Sequence, residues 1–114
     1  MRNVGTAQLM RFYADAERFP KPVFTFVHMV VIWALLMHVD TTGRRGAKYV
    51  AYPSQKTLAK VARVSEPTVN KALDAYTASG WLAVTKRRAG KLNAPNLYSV
   101  QPAVDEILRM TEAA

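Results

Sequence analysis

Residues 53–81 read PSQKTLAKVARVSEPTVNKALDAYTASGW, and within them the signals for two short helices follow one another closely. Ser54 is placed to cap a helix over residues 55–62, whose inward positions are Leu58, Ala59 and Ala62. A tight turn at Arg63-Val64 follows, and Ser65 is placed to cap the next helix. Glu66 suits the positive end of the helix dipole, and Pro67 in the first turn gives up no hydrogen bond. Val64 and Val69 stand at the N′ and N4 positions of a hydrophobic staple, which fixes the angle of entry. Val69, Ala72, Leu73 and Tyr76 form the buried stripe, and Gly80 closes the helix at C′ so that Trp81 can pack back on Tyr76.

Two short helices joined at a fixed angle make a helix-turn-helix. In such a unit the first helix braces across a nucleic-acid backbone while the second enters the major groove. The outer face of the second helix is polar, with Glu66, Thr68, Asn70, Lys71 and Asp74. Asparagine can bind adenine through two bonds, lysine reaches guanine acceptors, and threonine reaches a phosphate or a thymine methyl. Candidate base-reading residues are Ser65, Glu66, Pro67, Thr68, Asn70 and Lys71.

Downstream, residues 82–86 alternate as a strand, residues 88–95 read as a polar loop, and residues 97–100 return. Leu82, Val84, Tyr98 and Val100 are the inward residues of this hairpin. Lys86, Arg87, Arg88 and Lys91 lie near its tip, as in a wing that grips phosphates or enters the minor groove. Upstream, Thr41 to Gly46 is a loop and residues 48–52 read as a short strand. Arg44, Arg45 and Lys48, with Ser54, Gln55 and Lys56, complete the candidate backbone contacts.

The charge distribution agrees with a polyanionic partner. Between Arg44 and Lys91 the chain has eleven basic residues against Glu66 and Asp74, a local charge of +9 out of a total of +8. The other residues sum to −1, so the excess is segregated and not spread for solubility.

The remaining segments are read as helices. Thr6 is placed to cap a first helix with Leu9, Phe12, Tyr13 and Ala16 on one side, ended by Phe19-Pro20-Lys21-Pro22. The next helix, residues 23–40, is apolar nearly all round and so is buried on two sides. Phe24, Val27, Val31 and Leu35 are assigned to the core, and Val30, Trp33, Ala34 and Met37 to a partner element. Gln101-Pro102 opens a last helix with Val104, Ile107, Leu108 and Thr111 on one side.

The stretch from about Phe24 to Val100 resembles the winged helix-turn-helix domains of plasmid and phage replication proteins and related bacterial regulators. The residues that carry the likeness are the long apolar helix, then YPSQKTLAKVARVSEPTVNKALDAYTASGWL at residues 52–82, then NLYSV at residues 96–100. Arg63 departs from the pattern, which commonly places glycine at that turn. The resemblance implies sequence-specific binding of double-stranded DNA, as a transcriptional regulator or a plasmid or phage maintenance factor in replication or segregation. A winged helix used purely for protein–protein contact is the alternative, but it has no need of a basic wing.

The expected fold class is therefore mostly α with a small β-hairpin (α+β), a winged helix-turn-helix with extra N- and C-terminal helices. One domain of 114 residues is expected, with an N-terminal helix in 1–20, a winged-helix core in 22–101 and a C-terminal helix in 102–114. Excess apolar surface on the first, second and last helices points to a homodimer.

Several classes are set aside. Phe24 to Val39 is too short and too often polar to span a membrane, which takes roughly twenty apolar residues. The N-terminus does not read as a signal peptide, the chain has no cysteine, and a cytoplasmic location on nucleoid or plasmid DNA is expected. His28 and His38 lie about 15 Å apart along one helix, so no metal is expected between them. No small-molecule ligand or cofactor is expected, and no enzyme, since no thiol, phosphate loop or histidine pair is present. Asp105 and Glu106 are adjacent on a helix and point in different directions.

Overall fold

The computed structural model describes residues 3–44, 46–86, 88–89, 92–93 and 96–113. Its elements are α1 (Thr6–Tyr13), α2 (Phe26–Leu36), β1 (Val50–Ala51), α3 (Gln55–Ala62), α4 (Glu66–Ala78), β2 (Ala83–Thr85), β3 (Arg88–Ala89), β4 (Leu92–Asn93), β5 (Leu97–Ser99) and α5 (Gln101–Ala113). Helices dominate and the sheet is small, as the α+β reading expects. β5 runs between β1 and β2, antiparallel to both, with Val84 opposite Tyr98 and Ala51 opposite Tyr98 on its other edge. Between β2 and β5 the chain makes a second short ladder, Arg88 opposite Asn93 and Ala89 opposite Leu92. The segment expected as a plain polar loop thus holds a two-stranded ladder of its own.

The helix starts follow the local chemistry. Ser54 and Ser65 are the N-caps of α3 and α4, their side chains accepting from Thr57 N–H at 3.1 Å and Thr68 N–H at 3.3 Å. Thr25 caps α2 in the same way, accepting from His28 N–H, so α2 starts three residues later than the apolar pattern alone suggests. It also ends earlier. His38 Nδ1 lies 2.9 Å from the carbonyl of Ala34, while His38 and Val39 N–H close tight turns on Leu35 and Leu36. α1 is capped by Gly5 and not by Thr6, because Gln8 Oε1 accepts from Gly5 N–H at 2.9 Å and fixes the start one residue upstream. The helix ends at Tyr13, well before Pro20, which leaves Ala16 exposed beyond it.

α2 is the centre of the packing. It contacts α1, α3 and α4, and Val31, Ile32, Ala34, Leu35 and Leu36 are buried. The second apolar face assigned to a partner element is covered mainly within the chain: Trp33 Nε1 donates to the carbonyl of Met10 at 3.2 Å, and Val30 and Trp33 pack on the core. Val27, placed inward by periodicity, is exposed because the first turn of α2 is left uncovered, and Met37, the C-cap, is exposed although Leu35 and Leu36 before it are buried.

An aromatic cluster joins the N-terminal region to α4. Tyr76 packs against Tyr13, Phe19 and Phe24, with ring centroids 4.9 to 5.6 Å apart. Trp81 was expected on Tyr76, but its ring meets Phe12 edge-on at 5.3 Å, and its carbonyl accepts from the Tyr13 hydroxyl at 2.6 Å. The guanidinium of Arg18 lies over both Phe12 and Trp81, at 4.7 and 5.0 Å. α5 packs on α1, and its Ala103, Val104 and Ile107 are buried, whereas Thr111 is exposed.

Residues 48–52 form less strand than their composition suggests. Tyr49 has φ 65°, a left-handed conformation that bulky residues rarely adopt. Four bonds hold it there. Its N–H donates to Asp40, its carbonyl accepts from Val100, and its hydroxyl accepts from Val4 N–H and donates to Asn3 Oδ1. Only Val50 and Ala51 remain to pair with β5.

Candidate nucleic-acid interface

The turn between α3 and α4 sets the geometry. Arg63, the C-cap of α3, has φ 60° and ψ 44°, and Val64 N–H donates back to the carbonyl of Ala59 at 3.0 Å. The turn therefore has the left-handed form that glycine usually supplies, built here with an arginine. Val69 is fully buried and Val64 packs against the same core, as a staple requires. Ala72, Leu73 and Tyr76 complete the buried face of α4. Gly80 follows at φ 87°, the C′ conformation that lets the chain leave the helix for β2.

With that face fixed inward, the outer face is fixed outward. Glu66, Pro67, Asn70, Lys71, Asp74 and Thr77 are exposed along α4. Ser65 and Thr68 are engaged in the cap, their hydroxyls 2.8 Å apart, so they build the start of the helix before they offer anything to a ligand. Ser54 is occupied in the same way, with its hydroxyl 2.9 Å from that of Thr57.

Between α4 and the hairpin runs a groove of about 430 Å³, walled by Asn70, Asp74 and Thr77 on one side and Lys86, Asn96 and Tyr98 on the other. Gln55, the first residue of α3, also lines it, and its Nε2 donates to Asn70 Oδ1 at 2.8 Å. Asn70, of the base-reading candidates, and Lys86, of the wing candidates, thus share one concave surface. The sequence places Asp74 on the polar outer face without making it a base reader, and Thr77 and Asn96 are not among its candidates. Asp74 and Thr77 follow Asn70 by four and seven positions, so helical periodicity places them on its face.

Lys86 is the basic residue among those that line this groove, and Asp74 lines it too. Among the described residues, none of Lys56, Lys60, Arg63, Lys71 and Lys86 is in an ion pair; the ion pairs join Arg18 to Asp15 and Glu106, and Arg109 to Glu106. Lys56 and Arg44 are exposed. Lys48 is half-buried, with its ammonium 5.2 Å from the centre of the Tyr49 ring, and the loop that holds it borders a different cavity, of His38, Asp40, Ala47, Val50, Tyr52 and Pro53. Arg45, Arg87 and Lys91 lie outside the described residues, and of Arg88 only the backbone, in β3, is described.

The other titratable groups serve the fold. Burial raises the phenol of Tyr13, with a further push from Tyr76, and burial also raises the phenol of Tyr76. Partial burial lowers the imidazole of His28, whose Nδ1 is 2.8 Å from the Thr25 hydroxyl. Among the described residues no three side chains are grouped to hold a metal ion, and no helix is long and apolar enough to cross a membrane.

No protein-family model and no curated protein matches the chain. Among solved structures it is similar to one described as the N-terminal domain of a DNA-binding protein, at 13% identity and a TM-score of 0.49. The match covers 91% of this chain and 84% of that one. Likeness at that level transfers neither a partner nor a site, so the functional reading rests on this chain's own residues.

Proposed function

We propose that this protein binds double-stranded DNA in a sequence-specific manner, with α4 in the major groove and the β2–β5 hairpin on the backbone or in the minor groove. One observation carries the proposal. The exposed polar face of α4 and the start of the hairpin wall one groove, within a segment of net charge +9 whose described lysines, Lys56 and Lys60 on α3, Lys71 on α4 and Lys86 just after β2, are in no ion pair. An α-helix fits the major groove, and a basic hairpin beside it needs no fixed bond pattern to hold phosphates.

In this reading Asn70 and Lys71 meet base edges, with Glu66, Pro67 and Thr68 at the entering end of the helix. Lys86, Arg87, Arg88 and Lys91 contact phosphates, as do Lys56 and Arg44. The protein is a regulator or a plasmid or phage maintenance factor and not an enzyme. It acts as a homodimer, which the exposed apolar residues Val23, Phe26 and Val27 favour.

Selection from a pool of random duplexes tests the whole proposal. We expect enrichment of one site made of two related halves about one helical turn apart. A pool that shows no enrichment after several rounds contradicts specific binding and leaves the basic surface to a protein or RNA partner.

A further inference from the structure

The hydrogen bond between Gln55 and Asn70 is unusual for its place. It joins the first residue of α3 to the second turn of α4, fifteen positions apart, on an exposed surface where water competes for both amides. Both ends are anchored. Ser54 caps α3 immediately before Gln55, and Val69 and Ala72, on either side of Asn70 and Lys71, are fully buried. Both amides line the groove between α4 and the hairpin.

Resting on the DNA-binding reading above, we propose that Gln55 and Asn70 act as one unit that reads an adenine, with Gln55 holding the Asn70 amide in position and not gripping a phosphate. An amide carries a donor end and an acceptor end. Once Gln55 Nε2 donates to Asn70 Oδ1, the ends left over are the Asn70 Nδ2 donors and the Gln55 Oε1 acceptor. Were the bond drawn the other way, the ends left over would be Gln55 Nε2 and Asn70 Oδ1, again one donor and one acceptor. In the major groove adenine alone pairs an acceptor, N7, with a donor, N6. Guanine shows two acceptors, thymine an acceptor and a methyl, cytosine a donor. Asp74 lines the same groove one turn further along α4, and its carboxylate opposes the acceptor edge of guanine.

The bond also links two jobs. A helix that braces the backbone and a helix that reads bases are held in register by it, so loss of Gln55 frees Asn70 to rotate. A loss of this kind is specific to one base pair, unlike a loss of phosphate contact, which weakens all duplexes alike.

The test uses the full chain, the selected duplex, and its three single-base replacements at the position where Asn70→Ala has its effect. The wild type should prefer adenine there by tenfold or more. Gln55→Ala should lose the same preference at the same position while binding random duplex as the wild type does. The double variant should lose no more than either single one, because the two amides act together. If Gln55→Ala weakens every duplex equally and keeps the adenine preference, Gln55 is a phosphate contact and the proposal fails. If the protein selects a site whose recognition ignores both variants, the proposal fails while DNA binding stands. A second measurement is independent of DNA. In ¹H–¹⁵N spectra of the free protein, Gln55→Ala should move the side-chain amide signals of Asn70, and unchanged signals overturn the pairing itself.

Discussion

Arg63 holds a left-handed backbone at the turn between α3 and α4, where glycine would be unstrained. Its left-handed backbone costs a residue with a Cβ about 1 kcal/mol relative to glycine. The side chain is exposed and in no ion pair, so the fold does not need it. We expect Arg63→Gly to raise the urea midpoint, by up to ~1 kcal/mol of stability, and to weaken DNA binding slightly. A lowered midpoint would show that the arginine stem packs on α3. His28 makes a second residue-scale case. Its pKa is depressed because the ring is partly withdrawn from water, and its Nδ1 lies within bonding reach of the Thr25 hydroxyl and N–H. The unfolded chain therefore takes up a proton more readily than the folded one. Stability should be unaffected by His28 above its unfolded value of about 6.5 and should fall as pH drops from there through the lower folded value. Gln at this position keeps the capping box while removing the titration, so thermal melts of His28→Gln between pH 7.5 and 5 should show a shallower loss than wild type. Equal slopes would remove His28 from the pH response.

At the scale of elements, what the sequence discloses depends on how local the physics is. The starts of α3 and α4 were legible because a serine caps the N–H groups two or three residues on, and the staple and Gly80 act over similar distances. The buried stripe of α4 was legible because helical spacing alone dictates it. The long-range choices were not. No periodicity states that Trp81 meets Phe12 in preference to Tyr76, or that α1 covers the second face of α2. Tyr49 has strand preference, yet bonds to Val4, Asn3, Asp40 and Val100 hold it in a turn and shorten β1 to two residues. At the candidate site the same division holds. Asn70 and Lys71 could be named from the helix face, but the bond that ties Asn70 to Gln55 joins residues of different helices and has no sequence signature.

The whole molecule places a strongly basic segment on a scaffold that is otherwise slightly acidic, and this makes salt the most direct probe of function. Neutralising a phosphate releases counterions, so affinity falls with salt in proportion to the number of contacts. With roughly four to eight phosphates neutralised per protomer, affinity for duplex DNA should fall about fiftyfold or more for each threefold rise in salt. The Arg87→Ala, Arg88→Ala double variant should bind preferred and random duplexes more weakly by similar factors, and its logarithmic slope should be flatter by about two. The decisive measurement is therefore a titration of labelled duplex with wild type and this variant across a range of salt concentrations, both first shown by circular dichroism to be folded. A steep wild-type slope that the variant flattens is the expected result. Binding that ignores salt, or no binding even at low salt, would contradict a DNA-binding role for this surface.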